Sequence, residues 1–153
     1  MRTHLGKVSP SAVLIGALLL LLAFPLEAQA SPIGQVKTVV GAAEVVRAGQ
    51  VIVAKVGLPL FESDLVRTGA DGRLGVTLRD ETRLAFGPGT QLMLAKFAFE
   101  PAEEKLGLTV RLIRGTLSFI SGRIAKLSPA SVTIETPTSV IGVRGTHLVL
   151  KVD

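Results

Sequence analysis

From Gly34 to Val152 the chain alternates apolar and polar residues with a period of two, and Gly, Pro or Asp interrupts it every eight to ten residues. Leu74, Val76 and Leu78 share a face, as do Leu92 and Leu94, and Leu108-Thr109-Val110-Arg111-Leu112 repeats the pattern. A period of two belongs to a pleated strand with one buried face. Strands at this pitch leave little room for helices. They predict an all-β single domain of short strands, either a β-roll or short solenoid-like coil or a two-sheet sandwich.

Individual turns are also readable. Asp71-Gly72, between Leu65–Thr68 and Leu74–Leu78, is the strongest hairpin signal, because Asp-Gly suits the positive φ of a type I′ turn. Gly49-Gln50, Arg79–Glu81, Gly87–Gly89, Arg114-Gly115 and Ser121-Gly122 read as further turns. Pro59 confines its segment to an edge or a bend. Lys96–Gly107, with Pro101 and Glu103-Glu104, reads as an excursion loop or one helical turn begun at Pro101, and Arg123–Ala125 as a short strand.

The first thirty residues differ from the rest. Arg2 and Lys7 precede an uninterrupted apolar run, Ala12 to Phe24, that Pro25 ends, and Ala28-Gln29-Ala30 follows the small-x-small rule. Thirteen apolar residues rise about 20 Å as a helix, short of the ~30 Å hydrocarbon core. Residues 1–30 are therefore expected to be a signal peptide cleaved between Ala30 and Ser31, leaving 31–153 as the exported domain in the periplasm or outside the cell. The alternative is a retained N-terminal membrane anchor, which would hold the same domain outside the cytoplasm.

Without Arg2, Lys7 and Glu27, the 17 basic and 12 acidic residues fall to 15 and 11, a net charge of +4. The basic residues stand singly between apolar ones, as on the solvent face of a sheet, where they discourage edge-to-edge aggregation. A mild basic balance also admits an anionic cell-wall polymer or lipid headgroup as partner. Nucleic acid is not expected, since the chain has no Trp or Tyr for stacking and no basic run. The absence of cysteine removes disulfides, thiol catalysis and thiolate metal sites together.

The closing stretch is the most patterned. Val132–Glu135 and His147–Val152 alternate around a connection punctuated by Thr136-Pro137, Gly142 and Gly145, and Arg144-Gly145-Thr146 leads directly into the last strand. Together with Gly57-Leu58-Pro59-Leu60, the run from Asp64 through Thr68-Gly69 to Asp71-Gly72, Asp80-Glu81-Thr82-Arg83-Leu84 and Gly87-Pro88-Gly89-Thr90-Gln91-Leu92, this stretch resembles the FecR domain family across Ile33 to Val152. The resemblance implies an extracytoplasmic all-β domain. In the best-known members that domain sits on iron-uptake regulators coupling an outer-membrane receptor to a sigma factor. Those members carry a cytoplasmic sigma-binding segment and an anchor before it, whereas only about eleven residues precede the apolar run here. A stand-alone exported FecR-like domain is the expectation. Thr136, Pro137, Gly142, Gly145, Thr146, Asp71 and Gly72 are then structural residues of the motif.

No catalytic constellation emerges. His147 stands alone, and a nucleophile–base pair would need a hydroxyl within its reach and an orienting acid, for which only Glu135 is near in sequence. Asp80-Glu81 and Glu103-Glu104 are adjacent pairs, read as solvated loop charge, since neighbours on a strand point opposite ways. Gly87-Pro88-Gly89-Thr90 lacks the lysine and helix of a phosphate loop. No enzyme, metal, cofactor or small-molecule substrate is inferred. Arg144 either ties the corner through carbonyls or Glu135, or stands exposed for an acidic partner, with His147 beside it. The expected partner is an envelope protein paired along a free strand edge; the alternative is a carbohydrate or cell-wall polymer, for which Phe97 and Phe99 are the candidate platform although their same-face spacing on a strand suits the core better. Exposed aromatics would favour the polymer, and a long unpaired edge the protein.

Overall fold

The computed structural model describes Gly6 and residues 29–153, so the expected apolar leader segment Ala12–Phe24 lies outside the described residues. In chain order the strands are β1 (Gly34–Val40), β2 (Ala43–Arg47), β3 (Gln50–Val53), β4 (Pro59–Leu60), β5 (Leu65–Thr68), β6 (Arg73–Leu78), β7 (Arg83–Phe86), β8 (Gln91–Glu100), β9 (Lys105–Ile120), β10 (Val132–Glu135), β11 (Val140–Gly142) and β12 (His147–Val152). One short helix, α1 (Arg123–Leu127), and single 3-10 turns at Pro101–Glu103 and Pro129–Ser131 are the described helical elements. The chain is all-β, as the alternation predicts.

β9 organises everything else. Its first half pairs with β8 on one edge and, in parallel, with β10 on the other. Its second half pairs antiparallel with β7 and β12. One sheet therefore runs β3-β2-β5-β8-β9-β10-β11 and the other β4-β1-β6-β7-β9-β12, curling around one core. Alternate residues of every long strand feed that core: Val45, Val66, Leu92, Leu112 and Ile134 from the first sheet, and Val36, Val76, Leu84, Leu117 and Phe119 from the second. The outcome is a two-sheet, half-barrel version of the expected class.

Sequence punctuation marks where the chain changes sheet more often than where it reverses within one. Asp71-Gly72 is not a hairpin turn: β5 pairs with β2 and β8, β6 with β1 and β7, and the dipeptide lies on the crossover between sheets. Gly72 is there because a Cβ would stand 2.0 Å from the Ala42 carbonyl oxygen. The tight hairpin of positive φ is instead Ala48-Gly49, between Arg47 and Gln50. Arg114-Gly115 is likewise no turn; β9 runs through it, bent at Gly115 with φ +95°. Lys96–Gly107 is the end of a long β8–β9 hairpin, with the anticipated single turn of helix at Pro101. Arg123–Ala125 is helical because both the carbonyl and the carboxylate of Asp80 accept from the first amides of α1, those of Arg123 (2.6 Å) and Ile124 (3.3 Å). Pro59 lies, as expected, on an edge strand paired only with β1.

Threonine hydroxyls stitch the seam where the chain crosses between sheets. Thr68 Oγ1 donates to the Gly87 carbonyl (2.7 Å) and accepts from the Thr90 amide (2.9 Å). Thr90 Oγ1 donates to the same carbonyl (2.8 Å) and accepts from the Thr116 amide (3.0 Å). A hydroxyl both donates and accepts, so it satisfies buried backbone groups where the strand ladder breaks.

Candidate functional site

The site grows out of β10, β11 and β12, which leave β9 like the tines of a fork. β10 lies parallel to β9, and β11 folds back onto β10 through Thr136–Ser139. In that turn the Thr136 amide donates to the Ser139 carbonyl (2.8 Å), and Thr136 Oγ1 accepts from the Ser139 amide (3.0 Å). Pro137 occupies its tip, and Gly142 ends β11 opposite Thr133. The chain then crosses to the other sheet through Val143, Arg144, Gly145 and Thr146. Val143 is buried beneath the corner, and Gly145 has φ +130°, where a side chain is disfavoured. Ser121 fastens the corner to the end of β9: its hydroxyl donates to the Gly145 carbonyl (2.6 Å) and its amide to the Thr146 carbonyl (2.9 Å).

That last bond sets which groups of β12 are free. In an antiparallel pair, alternate residues turn both backbone groups toward the neighbour and the residues between turn both away. With the Thr146 carbonyl bonded to Ser121, the residues Thr146, Leu148, Leu150 and Val152 face β9, and the backbone groups of His147, Val149 and Lys151 face outward. No other described strand pairs with β12. The same strand presents Leu148, Leu150 and Val152 to the core, where they are only partly covered, while Val149 on the opposite face is 59% exposed. Between β12 and the β10–β11 ribbon opens a cleft of about 470 Å³, lined by Thr136–Ser139, Ile141 and Leu150–Asp153. An unpaired backbone row beside incompletely covered leucines is the arrangement that an added strand completes.

The residues singled out by sequence fall into two groups. Thr136 and Pro137 stand at one end of this fork, and Gly142, Arg144, Gly145, Thr146 and His147 at the other; Asp71 and Gly72 belong to the sheet crossover instead. Arg144 is exposed and, among the described residues, makes no hydrogen bond or ion pair; Glu135, its suggested tie, pairs with Arg111 at 2.8 Å. The structural reading of Arg144 as the tie of the corner is therefore corrected, since Ser121 performs that task. Arg144 edges a second hollow formed with Ala125, Pro129, Ala130 and Val143. His147 Nε2 lies 2.8 Å from Ser118 Oγ on the open sheet face. With Glu135 occupied by Arg111, no acid contacts the imidazole among the described residues, and the pair lacks the third member of a triad.

One other expectation is corrected, and the core reading of Phe97 and Phe99 holds. Asp80 is not loop charge but is fully buried, accepting from the Thr82 amide (3.1 Å) and hydroxyl (2.7 Å). Phe97 is 7% exposed with Arg79 above its ring (5.5 Å), and Phe99 packs against the core beneath Arg123 (5.2 Å), so neither offers a bare platform. Sequence reasoning did not single out Val149 and Lys151 as edge residues, although the alternation of 147–152 with Leu148 and Leu150 on one side carries that signal.

A family model described as FecR protein matches residues 64–153, from the start of β5 through β12. No curated protein and no solved structure matches the chain.

Proposed function

The chain belongs to the FecR protein family, and from that premise we propose that it is an exported, non-enzymatic binding and sensing module of the cell envelope that engages a partner protein through the open edge of β12. The family is one of signalling regulators rather than enzymes, which supports a module that reports by contact. The observation that carries the reading is the outward backbone row of His147, Val149 and Lys151 beside the partly covered Leu148, Leu150 and Val152. A partner strand gains hydrogen bonds from the first set and apolar contact from the second. Arg144, exposed beside this edge and without an ion pair among the described residues, favours an acidic group on the partner, whereas Lys151 is already paired with Asp153 (3.1 Å). Leader cleavage between Ala30 and Ser31 is part of the proposal. It predicts Ser31 as the N-terminus of the protein recovered from the envelope. The polymer-binding alternative asked for exposed aromatics, and Phe97 and Phe99 lie under arginines.

The test is site-specific photocrosslinking in cells expressing the full-length chain, with the crosslinker placed at Lys151. One envelope protein should be captured, and Val149→Pro should abolish the capture. Proline there removes only an outward N–H, which an edge strand tolerates, so the fold is kept. Arg144→Ala should weaken capture while leaving the circular dichroism spectrum unchanged. Capture that is indifferent to Val149→Pro, or recovery of glycan alone, overturns the reading.

A further inference from the structure

The first sheet ends at β3, and that end is built differently from β12. β3 pairs only with β2, Arg47 standing opposite Gln50 and Val45 opposite Ile52. The Ala54 amide donates to the Ala43 carbonyl (2.9 Å), so Gln50, Ile52 and Ala54 turn their backbone groups toward β2. Val51 and Val53 therefore turn theirs outward, one N–H and one C=O each, and no described strand takes them. The Ala48-Gly49 turn bounds this outward run on one side and buried Ala54 on the other.

The side chains here are apolar where solvent is expected. Val51 and Val53 are 57% and 66% exposed. On the same outer face Val51 is in register with Val46, Val46 with Leu65 and Leu65 with Met93, so an apolar row crosses β8, β5 and β2 and ends at the open edge. Gln50–Val53 holds no charge and no proline. Free edges are commonly guarded by such residues, as β12 is by Lys151 and β4 by Pro59, because an uncharged β-branched edge recruits other strands. We infer that β3 is a dimerisation edge, which pairs antiparallel with β3 of a second copy of this chain about a two-fold axis at Ile52. In that register Val51 lies opposite Val53 of the second copy, and Val53 opposite its Val51, so every outward group is bonded and none overhangs. Ile52 meets its own copy on the core side, and the exposed valines cover one another on the solvent side. A strand of other sequence finds no charge on β3 to select it, and a longer one runs past the pairing groups at Ala48-Gly49 and Ala54. The contact is isologous, so it closes at two copies instead of growing into a fibre.

This edge is separate from that of β12, so either can fail alone. A four-residue edge buries less than a standard interface, so the dimer is weak and is best trapped covalently. The chain has no cysteine, which leaves an introduced thiol without competitors. In the proposed register position 52 faces itself with about 4.5 Å between Cα atoms, within reach of a disulfide. Mild oxidation of the purified full-length protein in detergent should link Ile52→Cys into a dimer, and Ala48→Cys, exposed at the turn and far from its own copy, should stay monomeric. Adding Val51→Lys to Ile52→Cys should lower the linked fraction about tenfold, since symmetry alters two cross-strand pairs. Adding Val53→Glu as well should restore it, because each new lysine then faces a glutamate of the second copy. Sedimentation of the unsubstituted protein should show a concentration-dependent shift from monomer to dimer that Val51→Lys removes. Equal linkage of Ala48→Cys and Ile52→Cys, or linkage and sedimentation indifferent to Val51→Lys, would overturn the dimer. So would assemblies that grow beyond two copies, the result expected if β3 paired head-to-tail with another edge.

Discussion

Asp64 holds a chain reversal together from inside the core. Its carboxylate is 1% exposed and accepts from Arg47 Nε (2.8 Å), Arg47 Nη2 (2.7 Å) and the Phe61 amide (2.8 Å), while the guanidinium stacks 4.4 Å above the Phe61 ring. Removing the arginine leaves a carboxylate desolvated and without its counter-charge, which is costlier than the pair was favourable. Arg47→Ala should lower unfolding stability by about 3 kcal/mol in urea titrations. Arg47→Lys should recover less than half of that, because one ammonium cannot reproduce the two-pronged contact. The hydrogen bond to Asp64 raises the Arg47 pKa above its ordinary value. A base raised in the folded state contributes its full stability below its unfolded pKa, so this contribution should persist through neutral and mildly alkaline pH. Asp64 was legible as the start of a patterned run, and the turn before Thr82 from Arg79–Glu81. The burial of Asp64 and Asp80 was not, because it depends on Arg47 and on the first amides of α1, 17 and 44 residues away in the chain.

At the scale of elements, the bend within β9 decides whether two sheets can share one strand. Gly115 has φ +95°, and an added Cβ would stand 2.4 Å from Thr90 Cα and Oγ1. Gly115→Ala combines backbone strain with a clash against a buried threonine, and should cost about 3 kcal/mol or more, read as a lowered urea midpoint. The edge of β12 carries a second prediction, since its alternation fixes which amides water reaches. In hydrogen exchange, Leu148, Leu150 and Val152 should be protected and His147, Val149 and Lys151 should exchange freely. Uniform protection along β12 would mean the edge is already covered in the isolated protein. Strands were legible wherever alternation is strict, as in Leu74–Leu78 and Leu108–Leu112. The continuity of β9 was not, because Arg114-Gly115 reads the same whether the chain reverses there or only bends. α1 was missed for a related reason, its helical form being imposed by Asp80 rather than by the propensity of Arg123–Leu127.

For the whole molecule, class and resemblance were legible because both rest on residues in fixed order, whereas the pairing of strands was not, because it joins segments as distant as Val36 and Val76 or Leu84 and Phe119. With no cysteine, cohesion among the described residues comes from one core that both sheets share through β9. Leu112 and Leu117 lie on either side of the Gly115 bend, both fully buried, one under each sheet. If β9 joins the sheets into one cooperative unit, damage on either side must weaken both. Leu112→Ala and Leu117→Ala should each cost about 3 kcal/mol. In urea titrations of the full-length protein, the methyl signals of Val45 in one sheet and Val76 in the other should vanish at a common midpoint, which either substitution lowers for both. Were Leu112→Ala to lower the midpoint of Val45 alone, the sheets would be separate folding units, and strand addition at β12 would be sensed only by the sheet that contains it. A common midpoint means that an occupant of the β12 edge stabilises the entire domain.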